Sequence, residues 1–146
     1  MMSISIRALF VSLALVLFAG CGGNPLVGKW ISSTGGVSTT LDLKADGTAG
    51  MVVSATTIGG VSCSGMLTYS GITWTSTATT ITLAGTATCA GSNMCGATTL
   101  DCTTGGGPMT SSTTSTYALT NNNNTLTVTS TSNGTPSIAT FSRATN

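Results

Sequence analysis

The chain has 146 residues, with four Lys or Arg, three Asp and a formal net charge of +1, a length typical of one domain. It contains no His, Glu or Gln, which excludes Ser-His-Asp triads, Cys-His nucleophiles and His-ligated zinc sites. The near-neutral charge also excludes the basic surface that binds nucleic acid. The 31 Thr and 19 Ser supply most of the polarity, and Thr favours strands because its branched Cβ suits a pleated surface.

An export signal is predicted at the N-terminus. Arg7 precedes an apolar run over residues 8–19, and this order of a charged and an apolar region is typical of a signal peptide. The run is shorter than the ~20 residues of a membrane-spanning helix. It ends in Leu17-Phe18-Ala19-Gly20-Cys21, which resembles the bacterial lipobox of small residues before an acceptor cysteine. The resemblance implies a cleaved lipoprotein signal helix over residues 1–20 and acylation of Cys21.

The same resemblance divides the rest of the chain into a lipidated tether, residues 21–26, and a folded domain, residues 27–146. Because two or more acyl chains anchor a protein stably, the implied partner is a membrane. No Asp follows Cys21, so nothing resembles an inner-membrane retention signal. We expect the cell envelope, with the outer membrane favoured over the inner and the domain facing the periplasm or the surface. The alternative is an ordinary secretory signal with Cys21 incidental.

Period-two alternation of apolar and polar residues predicts antiparallel strands in the folded domain. Asp46-Gly47 marks a turn before a strand over residues 48–55. Residues 61–75 form one long predicted strand with a bulge at Ser70-Gly71. This bulge brings four apolar side chains to one face: Leu67, Tyr69, Ile72 and Trp74.

The C-terminal third predicts a meander of three strands. Residues 121–124 form a turn whose register places Leu119 opposite Leu126. Asn133-Gly134 predicts a two-residue hairpin turn, because both of its positions need a positive φ. The resulting register turns Arg143 inward at one barrel end. About eight to ten short strands are consistent with an all-β, antiparallel up-and-down barrel or a sandwich.

Four cysteines remain after the predicted lipid acceptor: Cys63, Cys89, Cys95 and Cys102. An even number in an exported domain predicts two disulfides, and three pairings fit the sequence. The spacing lacks the Cys-x2-Cys knuckles of zinc sites, so we expect no metal and no other cofactor. The strand register favours Cys63–Cys89 with Cys95–Cys102, and the segment over residues 89–102 is then predicted to leave the sheet as an excursion held by disulfides. The Gly-, Ser- and Thr-rich residues 103–115 predict a loop.

The start of the folded domain, Leu26-Val27-Gly28-Lys29-Trp30, resembles the opening Gly-x-Trp motif of lipocalin-like proteins. In that superfamily the Trp closes one barrel end and an Arg of the last strand packs over it. The resemblance assigns closure of the barrel end to Gly28 and Trp30 of this motif and to Arg143, which would pack over the Trp. Residues 41–48, with their Asp-Gly-Thr turn, also look like part of small bacterial lipocalin-like domains, which commonly follow a lipoprotein signal. The resemblance covers most of residues 26–143, and the insertion over residues 89–102 departs from it.

This resemblance implies a lipid-anchored lipocalin-like barrel that binds or carries a small apolar ligand. The candidate ligand-lining residues are Met51, Val53, Leu67, Tyr69, Trp74 and Leu83. An eight-stranded barrel can also be filled by its own side chains. The alternative is therefore a structural or adhesive module without a ligand, which uses Thr-rich outer faces such as the row over residues 125–131. No nucleophile, base and orienting group occur together, so the sequence predicts no enzyme and leaves protein partners open.

Overall fold

The computed structural model describes residues 23–102, 109–110 and 112–145. Their regular structure consists of strands and turns, which confirms the all-β prediction for these residues. The predicted signal peptide and Cys21 lie outside the described residues. Among the residues that are described, no helix is long and apolar enough to cross a membrane.

The strands follow one another with short turns. They are β1 (Gly28–Thr34), β2 (Val37–Leu43), β3 (Thr48–Ala55), β4 (Thr57–Ile58), β5 (Val61–Ser76), β6 (Thr80–Ala84), β7 (Thr86–Cys95), β8 (Thr98–Asp101), β9 (Met109–Thr110), β10 (Thr113–Thr120), β11 (Thr125–Ser132) and β12 (Thr135–Arg143).

Eight of these strands close into an antiparallel barrel, in the order β1-β2-β3-β5-β6-β10-β11-β12. The last strand pairs with the first, where Arg143 lies opposite Trp30. The prediction of a closed antiparallel barrel is thereby confirmed. Closure leaves no free edge in the barrel wall, and the inward-facing side chains form one apolar core.

The hairpin registers predicted for the C-terminal third are confirmed, with Leu119 opposite Leu126. Asn133 and Gly134 have φ values of 50° and 79°, as the predicted turn requires. The predicted loop over residues 103–115 is wrong where the structure describes it, because β9 pairs with β7 at Met109–Thr110 and β10 begins at Thr113. That part of β10 contains only hydroxyl side chains, so it lacks the apolar alternation by which strands are found.

The predicted bulge in the long strand β5 is also confirmed. Gly71 has a φ of 79°, and a Cβ there would lie 2.8 Å from the carbonyl oxygen of Thr86. The bulge keeps the predicted side chains of β5 buried on the barrel interior. Before Leu67, β5 no longer pairs with β3 and continues outward with β7 as a long hairpin. We call the part of this hairpin over residues 61–66 and 91–95 the outer ribbon.

The structure contains two disulfides, as predicted, but the favoured pairing is wrong. The bonds are Cys63–Cys95 and Cys89–Cys102. In the ladder of β5 and β7, Cys63 lies opposite Cys95, and Cys89 lies opposite Tyr69. Strand residues rise by about 3.3 Å each, so Cys63 and Cys89 are separated by about 20 Å along the ladder. That distance is far beyond the reach of a disulfide.

Candidate functional site

One end of the barrel, which we call the closed end, is sealed by a large apolar side chain. Trp30 is completely buried there together with Leu26, Leu43 and Leu126. Its indole Nε1–H donates a hydrogen bond to the carbonyl oxygen of Leu26, at 2.7 Å. Because the only polar group of the indole has a partner, the ring fills the closed end without an unsatisfied donor.

Arg143 covers Trp30 and ties the chain start to the barrel. The central carbon of its guanidinium lies 4.2 Å from the centroid of the indole ring, within the range of a cation–π interaction. The guanidinium also donates to the carbonyl oxygens of Asn123 (3.0 Å), Val27 (2.9 Å) and Pro25. The stacking and these three hydrogen bonds therefore hold the guanidinium at the closed end.

Gly28 is the third residue that the family resemblance assigns to closure. It has a φ of 133°, and a Cβ there would lie 2.8 Å from Nη1 of Arg143. A side chain at position 28 would thus displace the guanidinium from its carbonyl partners. The structure brings together all three residues named for closure.

The segment that precedes β1 is fixed to the closed end by its own hydrogen bonds. The side-chain amide of Asn24 donates to the hydroxyl of Ser76 at 2.9 Å, and its oxygen accepts from the backbone N–H of Leu26 at 3.0 Å. Nearby, the indole N–H of Trp74 donates to the carbonyl oxygen of Lys44 at 2.9 Å. The start of the described chain and the turn after β2 therefore lie at the same end of the barrel.

Beyond the closed end, the barrel contains a cavity of about 300 Å³ that is partly open to solvent. This volume lies at the lower limit for small-molecule sites. Most of its lining is apolar. The lining residues are Thr39, Leu41, Met51, Ile72, Ile81, Leu83, Ala84, Gly85, Ala87, Thr113, Ser115, Val128, Ser130, Ala139 and Phe141.

Of the six predicted lining residues, Met51 and Leu83 line this cavity. Leu67, Tyr69 and Trp74 are buried but do not line it, and Val53 is half-buried against the core. The physical reason is that period-two alternation shows which side chains face inward and not how far along the barrel axis each one lies. Trp74, for example, faces inward at the closed end.

The apolar pattern did not predict the hydroxyl groups that line the cavity. Ser115 of β10 and Ser130 of β11 both line it, and their hydroxyl oxygens lie 2.7 Å apart. Ser115 is only 8% exposed. The signal for this pair was available in the register. Ser115 lies two residues before the inward-facing Tyr117, and Ser130 lies two residues after Val128. The alternation of each strand therefore turns both serines inward.

Charged groups lie away from the cavity, since none of the described lining residues is charged. Asp46 lies in the exposed turn between β2 and β3, where its carboxylate accepts hydrogen bonds from the hydroxyl (2.6 Å) and the backbone N–H (2.9 Å) of Thr48. These bonds lower the pKa of Asp46, because they favour the charged form. Among the described residues, no cluster of acidic or cysteine side chains could hold a metal ion.

A scan against protein-family models found no match for this chain, and no curated protein or solved structure matches it either. The barrel, its closed end and its cavity are therefore the features that bear on function.

Proposed function

We propose that this protein is a lipid-anchored lipoprotein of the cell envelope whose lipocalin-like barrel binds a small apolar ligand. The observation that carries the proposal is the partly open cavity of about 300 Å³ with a mainly apolar lining. Tightly packed interiors contain few voids larger than a water molecule, so a space of this size supports binding more than a filled barrel. The resemblance at Gly28, Trp30 and Arg143 supports the same class of protein.

The arrangement of the chain start supports a lipid anchor on Cys21 at the closed end. Asn24 is hydrogen-bonded to the barrel, so at most three residues separate a lipid on Cys21 from this contact, and three residues span roughly 10 Å at most. An acylated Cys21 would hold the closed end near the membrane surface. The strands that run away from Trp30 would then present the cavity on the side that faces away from the bilayer.

Ligand binding is tested with a cavity-filling variant and the neutral apolar fluorophore N-phenylnaphthylamine. Ala139 lines the cavity and is half-buried, so we expect Ala139→Phe to weaken probe binding by at least about tenfold, because the added ring occupies the ligand space. The measurement is a fluorescence titration of the purified mature chain.

The matched control for this titration is Ala118→Phe. Ala118 is exposed on the outer face of the neighbouring part of the barrel, in β10, so the same substitution there should leave probe affinity within about twofold of the wild type. Equal probe binding by the two variants would argue against the cavity as the binding site.

The anchor is tested by Cys21→Ser, which removes the sulfur that the lipobox resemblance assigns to lipid. The wild-type protein should partition into the detergent phase and have the mass of a chain that begins at an acylated Cys21. The variant should lack that mass and partition into the aqueous phase, because stable anchoring needs two or more acyl chains. A wild-type chain without acyl mass would contradict the anchor and leave the binding result standing.

The second candidate function, a structural or adhesive module, is favoured by the outer face of the barrel. Thr116 lies opposite Thr80 on one side and Thr129 on the other, and the hydroxyls of Thr82 and Thr114 lie 2.9 Å apart. This gives an uncharged hydroxyl surface that spans three strands. Failure of the wild-type protein to bind the probe would support this candidate instead.

A further inference from the structure

The cavity combines two features that restrict the chemistry of its ligand: an absence of charge among its described lining residues and one partly buried pair of hydroxyls. On the basis of the binding function proposed above, we infer that the cavity selects an uncharged apolar molecule with a terminal hydroxyl or carbonyl group, which Ser115 and Ser130 bind.

The position of the cations argues against an anionic ligand such as an ionised fatty acid. Three cations lie in the described part of the chain, and none of them lines the cavity. Arg143 is engaged by Trp30 and three carbonyl oxygens at the closed end. Lys29 is exposed opposite Asp42 on the outer face, and Lys44 is exposed beside the turn after β2. A carboxylate in the cavity would therefore lose its hydration without gaining a cationic partner.

The two serines can bind a neutral polar group because of the chemistry of a hydroxyl pair. Each hydroxyl has one donor and two acceptor lone pairs, and the 2.7 Å contact between Ser115 and Ser130 uses one donor and one lone pair. The pair thus retains one O–H and several lone pairs for a third group. A ligand hydroxyl could accept from one serine and donate to the other, while a carbonyl could accept alone. The remaining lining is mainly apolar and suits the hydrocarbon part.

The first test compares two ligands of equal chain length, decanol and decanoate, as competitors of bound N-phenylnaphthylamine at about pH 7, where a carboxyl group is ionised. We expect decanol to displace the probe with an affinity at least about tenfold higher than that of decanoate, because only the carboxylate is left without a partner. Decanoate binding as tight as decanol would overturn the inference.

The second test removes the hydroxyl pair with the double variant Ser115→Ala and Ser130→Ala. We expect the affinity for decanol to fall about fivefold, the size of one hydrogen bond, and to fall by more than the affinity for the probe, whose binding rests mainly on apolar contacts. The matched control removes a hydroxyl pair from the outer face, with Thr82→Ala and Thr114→Ala. This control should bind decanol like the wild type.

The outcomes separate this inference from the function on which it rests. Probe binding with no preference for decanol, or an unchanged decanol affinity in the serine variant, overturns the inference and leaves the binding function intact. No probe binding by the wild-type protein overturns both.

Discussion

Replacing Trp30 with Ala should lower the free energy of unfolding by about 3–5 kcal/mol, the range for truncation of a fully buried Trp. The indole is completely buried at the closed end, so its loss leaves a large void in the apolar cluster there. The variant also loses the hydrogen bond to Leu26 and the stacking partner of Arg143. Urea unfolding of the wild type and the variant, followed by far-UV circular dichroism, measures the difference.

Two further variants separate the parts of this effect. Trp30→Phe keeps an aromatic ring but removes the indole N–H, so a destabilisation between the wild type and Trp30→Ala is expected. Ile138→Ala is the control for truncation as such. This side chain is 68% exposed on the outer face of β12, and its loss should change stability by no more than about 0.5 kcal/mol. A Trp30→Ala variant as stable as the Ile138→Ala control would show that the closed end does not depend on the indole.

The registers of the barrel could be predicted wherever a short turn lies between two alternating segments. The turn at residues 121–124 fixes the pairing of β10 with β11, and Asn133-Gly134 fixes the pairing of β11 with β12. A slip of one residue would turn every apolar side chain to the outer face, so turn length and alternation test each other. The same register predicts that Arg143 faces inward, and in the structure Arg143 lies over Trp30.

The position of the cavity could not be predicted, because it depends on how eight strands are staggered around the barrel. Met51 and Leu83 line it, whereas Trp74 faces the same interior from the closed end. The alternation within a single strand does not show how far along the barrel axis each of these side chains lies. The hydroxyl pair of Ser115 and Ser130 was missed for another reason: apolar periodicity does not mark a strand whose inward positions are polar.

The disulfide pairing was predictable in principle from the length of the ladder. Thr73 pairs with Ala84 near the turn, and Ser70 pairs with Thr88 farther out. Between these two pairs, the β6–β7 side of the hairpin therefore contains one residue more than β5. The extra residue is Gly85, with a φ of 119°. With or without this extra residue, the ladder places Cys89 opposite a residue near position 69, far from Cys63. The long hairpin itself therefore assigns Cys63 to Cys95.

The remaining pair follows from the turn between β7 and β8. Gly96, with a φ of 61°, lies in that turn, and β8 folds back so that Ser92 lies opposite Asp101. Cys102 directly follows β8 and lies beside Gly91, whose carbonyl oxygen is 3.7 Å from the Cys102 sulfur. Cys89 lies two residues before Gly91 in β7, which places it within disulfide reach of Cys102.

Proteolysis without reduction should accordingly release peptides that link Cys63 to Cys95 and Cys89 to Cys102, which mass spectrometry identifies directly. Removal of either bond by a paired Cys→Ala change should destabilise the protein by about 2–4 kcal/mol. The two bonds span 32 and 13 residues. Because loop-closure entropy grows with the logarithm of loop length, the Cys63–Cys95 variant should be the less stable by about 0.8 kcal/mol.

The position of the bonds sets a second expectation for the same variants. Cys63 and Cys95 both lie in the outer ribbon, whereas the cavity is lined by the barrel strands and by the start of β7. Loss of the Cys63–Cys95 bond should therefore allow the ribbon to open while N-phenylnaphthylamine still binds within about twofold of the wild-type affinity. A parallel loss of probe binding and ribbon order would mean that the ribbon and the barrel fold as one cooperative unit.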